Sequence, residues 1–225
     1  MNQIHPTAII GDDVVLGEGN VIHPYTILQG PLTIGDGNAI GPHVVIGSPG
    51  QDTRNPRYDS SRSKIVIGDR NIIREFTAIQ KPCYEEYTTL GNDIFLMQSV
   101  HVPHDATLED QVVLTPMVVL GGLARVLKGA NLAMGCTVHQ YITIGQYSIV
   151  ATGAAAIRNV KPFSRYIPGK PISVNEYAIQ KYGFAEHAEE IRAYVLAGTR
   201  PSAAVVVDIV DHFESCLRDG KKETY

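Results

Sequence analysis

The chain has 225 residues, 44% of them hydrophobic, with 21 glycines, few aromatics and no tryptophan, and its formal net charge is −4. This composition can bury one sizeable but thin core, and without a lysine- or arginine-rich run it argues against a nucleic-acid partner. Cys83, Cys136 and Cys216 are odd in number, far apart and lack metal-ligand spacing; with no signal peptide and no stretch able to span a bilayer, a cytoplasmic protein without integral membrane association is expected.

From the first residues an apolar side chain recurs every six positions, at Ile4, Ile10, Leu16, Ile22, Leu28, Ile34, Ile40 and Ile46. A helix would repeat its buried stripe at three and four, and a half-buried strand would alternate at two. A sustained sixfold period predicts a parallel β-helix of hexapeptides, in which three hexads close one coil and each coil touches only its neighbours. Glycine often follows the inward residue, as at Gly11, Gly35, Gly41 and Gly121, which predicts sharp corners there. The fold class is mainly β, with a β-helix over 1–160.

The period slips twice. Between Ile46 and Ile67 a polar, turn-rich stretch predicts a projecting loop over 47–64, in which Gln51, Asp52 and Arg54 could bind a sugar or base or simply be solvated. A second frame, Ile67, Ile73 and Ile79, ends in a shorter loop over 80–89, and Arg74 and Glu75 before it are expected to pair on an outer face. From Leu90 to Ala156 the sixfold count then runs unbroken.

Within that third frame lies His101-Val102-Pro103-His104-Asp105, with Val102 in the inward position. Residues eighteen apart should stack about 4.8 Å apart along the prism, so His104, Gly122 and Gln140 form one column, and Pro103, Gly121 and His139 another. Two histidines, a glycine N–H and an amide thus converge on one outward corner, the parts that acyl transfer needs. An imidazole, titrating near ~6.5, suits a general base at neutral pH; His104 is the candidate. Asp105 could orient it if the corner turns both side chains the same way, and the Gly122 N–H could stabilise an oxyanion without a Cβ in the way. His101, His139, Gln140, Gln51 and Asp52 are candidate substrate contacts. Surface or interface histidines are the plain alternative. A three-histidine metal site lacks a third ligand at a matching corner, so no metal is expected.

After Ala156 the period stops, and Lys161-Pro162 and Pro168-Gly169-Lys170-Pro171 predict a linker into a helical region over 161–225. One helix should run from a cap at Ser173 or Asn175 to Tyr182, a second over Ala185–Leu196, and a last from Pro201-Ser202 to Leu217, capping the open end of the prism. The tail from Asp219 to Tyr225 is expected to be loose.

The chain resembles the LpxA group of hexapeptide-repeat acyltransferases, which act on UDP-N-acetylglucosamine, from His5-Pro6-Thr7-Ala8-Ile9 to Gly183-Phe184. The matching motifs are Gln51-Asp52, Ile67-Gly68-Asp69-Arg70-Asn71 with Arg74-Glu75, His101 with His104-Asp105, and Val138-His139-Gln140. The resemblance implies a left-handed helix and a homotrimer with active sites between subunits. It also implies His104 as base, Asp105 as its partner and Gly122 as oxyanion donor, with Asp52, His101, His139 and Gln140 on the substrate. The expected reaction moves a hydroxyacyl or similar group from an acyl-carrier-protein thioester to the 3-position of UDP-GlcNAc or a close analogue, as in the first step of lipid A synthesis, with no bound cofactor. Acyl-CoA-dependent N-acylation of a nucleotide-linked amino sugar is the alternative, and a non-catalytic β-helix scaffold is a further one. The sequence departs from the family pattern at Gln80, Leu123 and Lys181-Tyr182, which bears on substrate recognition. Ala151, near the region that limits acyl length in relatives, is compatible with a short or medium chain.

Overall fold

The computed structural model describes residues 1–54, 63–218 and 222–225. Among these, short parallel strands stack into three flat sheets that form the sides of a left-handed prism. Sheet I begins with Gln3–Ile4 and Val21–Ile22, sheet II with Ile9–Ile10 and Ile27–Leu28, and sheet III with Val14–Leu16 and Leu32–Ile34. Successive strands in the chain therefore visit sheets I, II and III in turn, and partners lie one coil apart, as in Gln3 against Val21 and Val113 against Asn131.

The sixfold residues all point inward, and from Ile22 to Ala156 none is more than 3% exposed. A second buried layer lies two residues earlier in each hexad, at Val100, Ala106, Val118, Ala124 and Cys136. It holds mostly small side chains, with Ile94 and Ile142 as larger members, packed beside the sixfold residue in the triangular section. Ile4, in the first coil, is 46% exposed.

Corners between coils have their own chemistry. Asn20, Asn38 and Asn71 are buried one above another between sheets III and I, and each of the first two accepts the backbone N–H of the next at 2.8 Å. Asn71 does the same for Ile94. These side chains satisfy amides that the turning backbone would otherwise leave buried and unpaired. Several glycines after inward residues serve close approach rather than an unusual φ, Gly47 with φ of 100° being an exception. A Cβ on Gly121 would lie 2.5 Å from the Gln140 nitrogen of the next coil. Positive φ falls two residues later, at Asp105, Leu123 and Tyr141.

Both predicted loops leave the corner between sheets II and III. The coil that contains the first spans 33 residues, matching Ile34 with Ile67, and the coil with the second spans 23, matching Ile79 with Val102, in place of the usual 18. Residues 55–62 of the first loop lie outside the described residues. Arg74 and Glu75 form the expected outer ion pair at 2.8 Å.

At the far end the parallel pairing continues past the expected linker, with Ser164–Tyr166 joining sheet I against Ile149 and Val150. That coil has shortened to 16 residues, so a sixfold count loses it. Ser173–Val174 then adds antiparallel to Ser164–Tyr166; Ser173 is thus in a strand. Asn175 precedes helix α1 (Glu176–Lys181) but gives its side-chain N–H to the Tyr147 carbonyl instead of capping. A 3-10 turn, Ala185–His187, leads into α2 (Ala188–Ala197), which ends at Gly198 with φ of 72°. Helix α3 spans Ala204–Cys216; Glu190 of α2 accepts the N–H groups of Ser202 and Ala203 at its entry.

The helices do not sit on the open end as expected. They lie on the flank, where Tyr147 and Phe163 of the prism pack with Ile179, Phe184, Ile191, Val206 and Val210. The end of α3 covers sheet III: Phe213 packs on Leu127, and Arg125 and Thr143 donate to the Cys216 carbonyl. The prism end is closed partly by the tail, since the Tyr225 ring stacks on Tyr166 at 4.3 Å and Asn159 bridges to Thr224. The expectation of a loose tail fails at 222–225 because an aromatic terminus finds an aromatic partner; residues 219–221 lie outside the described residues. No helix among the described residues is long and apolar enough to cross a membrane.

Candidate active site

His104 and Asp105 follow the strand His101–Val102 of sheet II and occupy the corner from which the two loops leave in the preceding coils. On a regular strand their side chains would diverge. Asp105 instead has φ of 61°, which swings its carboxylate to the same side as the imidazole. His104 Nδ1 lies 2.7 Å from Asp105 Oδ2.

The carboxylate is fully buried and wrapped by the second loop. It accepts the backbone N–H groups of Glu85 at 2.7 Å, Tyr84 at 3.0 Å and Cys83 at 3.1 Å, and the Asp105 N–H is itself received by the Thr88 hydroxyl. Burial alone would raise its pKa; the hydrogen bonds from His104 and from the three amides overcome that, and the net shift is downward. An ionised carboxylate only accepts, so His104 Nδ1 carries the proton and Nε2 presents its lone pair on the far side of the ring.

Nε2 faces Gly122. A Cβ placed there would fall 2.6 Å from Nε2 and 2.3 Å from Cε1, so only glycine leaves the imidazole its place. The N–H groups of Gly121 and Leu123 are spent on the carbonyls of Val138 and His104, at 2.7 and 3.1 Å. Among the described residues no hydrogen bond engages the N–H of Gly122. A base and a backbone donor beside it can take a proton from a hydroxyl and hold the oxyanion that forms when that oxygen attacks a carbonyl.

The first loop packs back over the same corner, with Gly50 so close that a Cβ would lie 2.9 Å from the His104 Cβ and 2.3 Å from the Cys83 sulfur. Asp52 is held bidentately by Arg54, at 2.8 and 3.0 Å, and receives the Tyr84 hydroxyl. The Arg54 and Tyr84 hydrogen bonds keep its carboxyl well below the usual range. The Tyr84 ring in turn lies 5.8 Å from that of His104. Gln51 is exposed beside Asp52. His101 is half-buried on sheet II, and burial, then the nearby His104, lowers its pKa. His139 and Gln140 are exposed one coil beyond Gly121 and Gly122, as the Tyr141 N–H to the Gly122 carbonyl at 3.1 Å requires.

The structure thus brings His104, Asp105 and Gly122 into direct contact, with Asp52 joined through Tyr84, while His139 and Gln140 border them on the solvent side. Sequence reasoning missed Tyr84, Thr88 and the amides of 83–85. The signal was present: the second loop leaves the His104 corner one coil earlier. Gln80, buried at the start of that loop, has its Oε1 without a hydrogen-bond partner among the described residues, an acceptor one coil from Pro103. Cys83, His104 and Asp105 also place ligand atoms within 4.8 Å of one another. Asp105 already accepts three amides and the His104 ring N–H, so its oxygens are engaged and this trio is poorly disposed to take up a metal.

Residues 13–48 match the family of bacterial transferase hexapeptide repeats, six repeats long. Over its full length the fold superimposes on a UDP-N-acetylglucosamine acyltransferase, LpxA, from Bacteroides fragilis, with a TM-score of 0.81 at 24% identity, covering 99% of this chain and 100% of that one. The chain thus shares the fold of that acyltransferase. In sequence the chain is similar to the acyl-[acyl-carrier-protein]–UDP-N-acetylglucosamine O-acyltransferase of Burkholderia thailandensis, at 32% identity over 145 residues, 63% of this chain and 55% of that protein. The Aliivibrio fischeri protein of the same name is 30% identical over 144 residues, 62% of this chain and 55% of its own. The chain therefore spans little more than half the length of the curated relatives it matches. The Francisella novicida UDP-N-acetylglucosamine acyltransferase superimposes with a TM-score of 0.66 at 25% identity, over 99% of this chain and 91% of that one.

Proposed function

We propose that this protein is an acyltransferase that moves a hydroxyacyl or similar group from an acyl-carrier-protein thioester to the 3-hydroxyl of UDP-GlcNAc or a close nucleotide-sugar analogue. The observation that carries this reading is the column of Asp105, His104 and the unengaged Gly122 N–H, in a chain similar to relatives named for that reaction. His104 Nε2 takes the proton of the sugar hydroxyl as its oxygen attacks the thioester carbonyl. The new C–O bond leaves a tetrahedral oxyanion, which the Gly122 N–H holds, and Asp105 stabilises the imidazolium. Collapse breaks the C–S bond, and the departing thiolate recovers the proton from His104. The thioester supplies the activation, so the chemistry needs no metal or bound cofactor at this corner. His101, Asp52, Gln51, His139 and Gln140 are assigned to substrate contact.

The reading extends to assembly and place. A stripe of exposed apolar side chains, Tyr25, Phe76 and Met117, each more than half exposed, runs along the corner between sheets I and II, and its burial between copies would form the homotrimer. Three unpaired, buried cysteines agree with a reducing, cytoplasmic location.

A mass-spectrometric transfer assay tests the proposal. Protein and its His104→Ala variant are given UDP-GlcNAc, its 3-amino analogue and other nucleotide amino sugars, each with acyl-carrier-protein and acyl-CoA donors. The expected result is transfer from the carrier protein to the hydroxyl sugar, lost by about a hundredfold or more in the variant. Preference for acyl-CoA and an amine would select N-acylation instead, and transfer that His104→Ala leaves intact would overturn the mechanism.

A further inference from the structure

Where α3 meets sheet III, three potential metal ligands converge. Glu109 follows the strand Thr107–Leu108 of sheet III, and His212 and Cys216 lie one helical turn apart on the inner face of α3. His212 Nε2 is 2.6 Å from Glu109 Oε1 and 3.8 Å from the Cys216 sulfur, and all three donor atoms fall within 4.8 Å of one another. We propose that Glu109, His212 and Cys216 form a binding site for a late first-row divalent cation, with zinc the best match, that clamps α3 to the side of the prism.

The donor set is the argument. A carboxylate, an imidazole and a thiol favour zinc or cobalt over calcium or magnesium, which take oxygen alone. In a tetrahedral zinc site, ligand atoms lie about 3.3–3.6 Å apart, given Zn–N and Zn–O near 2.0–2.1 Å and Zn–S near 2.3 Å. The sulfur-to-nitrogen distance is already close to that, and the carboxylate needs to withdraw by less than an ångström. The cation would take the place of the proton between His212 and Glu109, and the Cys216 thiol proton would leave to solvent.

The surroundings hold the ligands ready. The other Glu109 oxygen is fixed by the Lys128 N–H at 2.9 Å, which aims Oε1 at the imidazole. Arg125 and Thr143 tie down the Cys216 carbonyl, so the last turn of α3 is seated before any cation arrives. His212 is 48% exposed and the sulfur nearly buried, which gives ions a path in and leaves water as the fourth ligand. His212 and Glu109 are separated by 103 residues, so the cation would join two parts of the chain that the sixfold repeat does not connect. Sequence spacing could not reveal this, because the third ligand comes from the prism.

Cobalt is the probe. Metal-free full-length protein is titrated with Co²⁺ while absorbance is followed, and Zn²⁺ is then used as competitor. The expected result is one equivalent bound, with a thiolate-to-cobalt charge-transfer band that zinc abolishes, and a rise in thermal midpoint with zinc. The band should be lost in Cys216→Ser and His212→Ala and kept in Cys83→Ser, with circular dichroism showing the variants folded. Absence of a charge-transfer band in the parent overturns the proposal. So does a band that survives Cys216→Ser and disappears in Cys83→Ser, which would place the cation at the His104 corner. None of these readouts depends on acyl transfer, so failure here is distinguishable from failure of the proposed activity.

Discussion

Replacing Asp105 by asparagine keeps the shape of the corner and removes one charge. The native carboxylate receives four donors, the His104 ring N–H and the amides of Cys83, Tyr84 and Glu85. An asparagine has one acceptor oxygen, and its own N–H₂ must face either the histidine or the loop amides. One or two charge-assisted hydrogen bonds, each worth about 1.5–3 kcal/mol, are therefore lost, and Asp105→Asn should be less stable to unfolding by about 2–5 kcal/mol. The imidazole loses the partner that sets its tautomer, so transfer should fall by about 10²–10⁴. Acid behaviour adds a third reading. Because the folded-state pKa of Asp105 is depressed, its stabilisation is fully present above the unfolded-state pKa of about 3.9 and is lost as pH falls through the folded value. Urea unfolding at pH 7 and at successively lower pH should show the parent converging on the variant in acid. An equal gap at every pH, or a variant as stable and as active as the parent, would refute the reasoning.

Gly122→Ala puts a methyl group where the imidazole now is, and by pushing the ring off Asp105 should cut transfer by about a hundredfold and lower the urea midpoint; retained activity would count against the close packing of His104 on Gly122 as a requirement of the chemistry. Leu120→Ala, at a core position 1% exposed, should cost about 2–5 kcal/mol in unfolding free energy at fixed protein concentration, and a cost below about 1 kcal/mol would mean that the coils tolerate voids. Burial holds the Cys83 thiol at about 11 and that of Cys136 at about 12, so iodoacetamide at pH 8 should label both at least about a hundredfold slower in the folded protein than in denaturant, as mass spectrometry of the peptides would report.

The prism was legible because its physics is periodic. One large apolar residue per hexad must enter a narrow interior, so Ile22 through Ala156 announce themselves by spacing alone, and the stacking of His104, Gly122 and Gln140 follows by arithmetic. What broke the count was invisible to it: the coil shortened by two residues that adds Ser164–Tyr166, and the docking of Tyr225, a contact between residues whose spacing follows no repeat. At the corner the identity of the residues gave His104 and Asp105, but their pairing depended on a backbone angle at Asp105 that the sequence DATL does not display. Amide donors such as those of 83–85 carry no side-chain signature at all.

The position of the two loops explains why chemistry gathers at one corner of an otherwise uniform solid. An insertion inside a strand would break the stacking of every sheet, whereas one at a corner leaves the 18-residue register intact on both sides. Both long excursions use the corner between sheets II and III, in consecutive coils, and His104 and Asp105 occupy that corner in the coil that follows. The loops therefore fold upward onto the pair, Gly50 against His104 and the amides of 83–85 against Asp105. Beyond His104 no excursion intervenes, and His139 and Gln140 stay exposed to solvent on that side, with Gly122 buried beneath them. A repeat fold that builds identical corners thus gains a candidate site by lengthening two of them: the coils set the spacing of the column, and the second loop supplies the backbone amides that keep Asp105 charged against its burial and so hold His104 oriented.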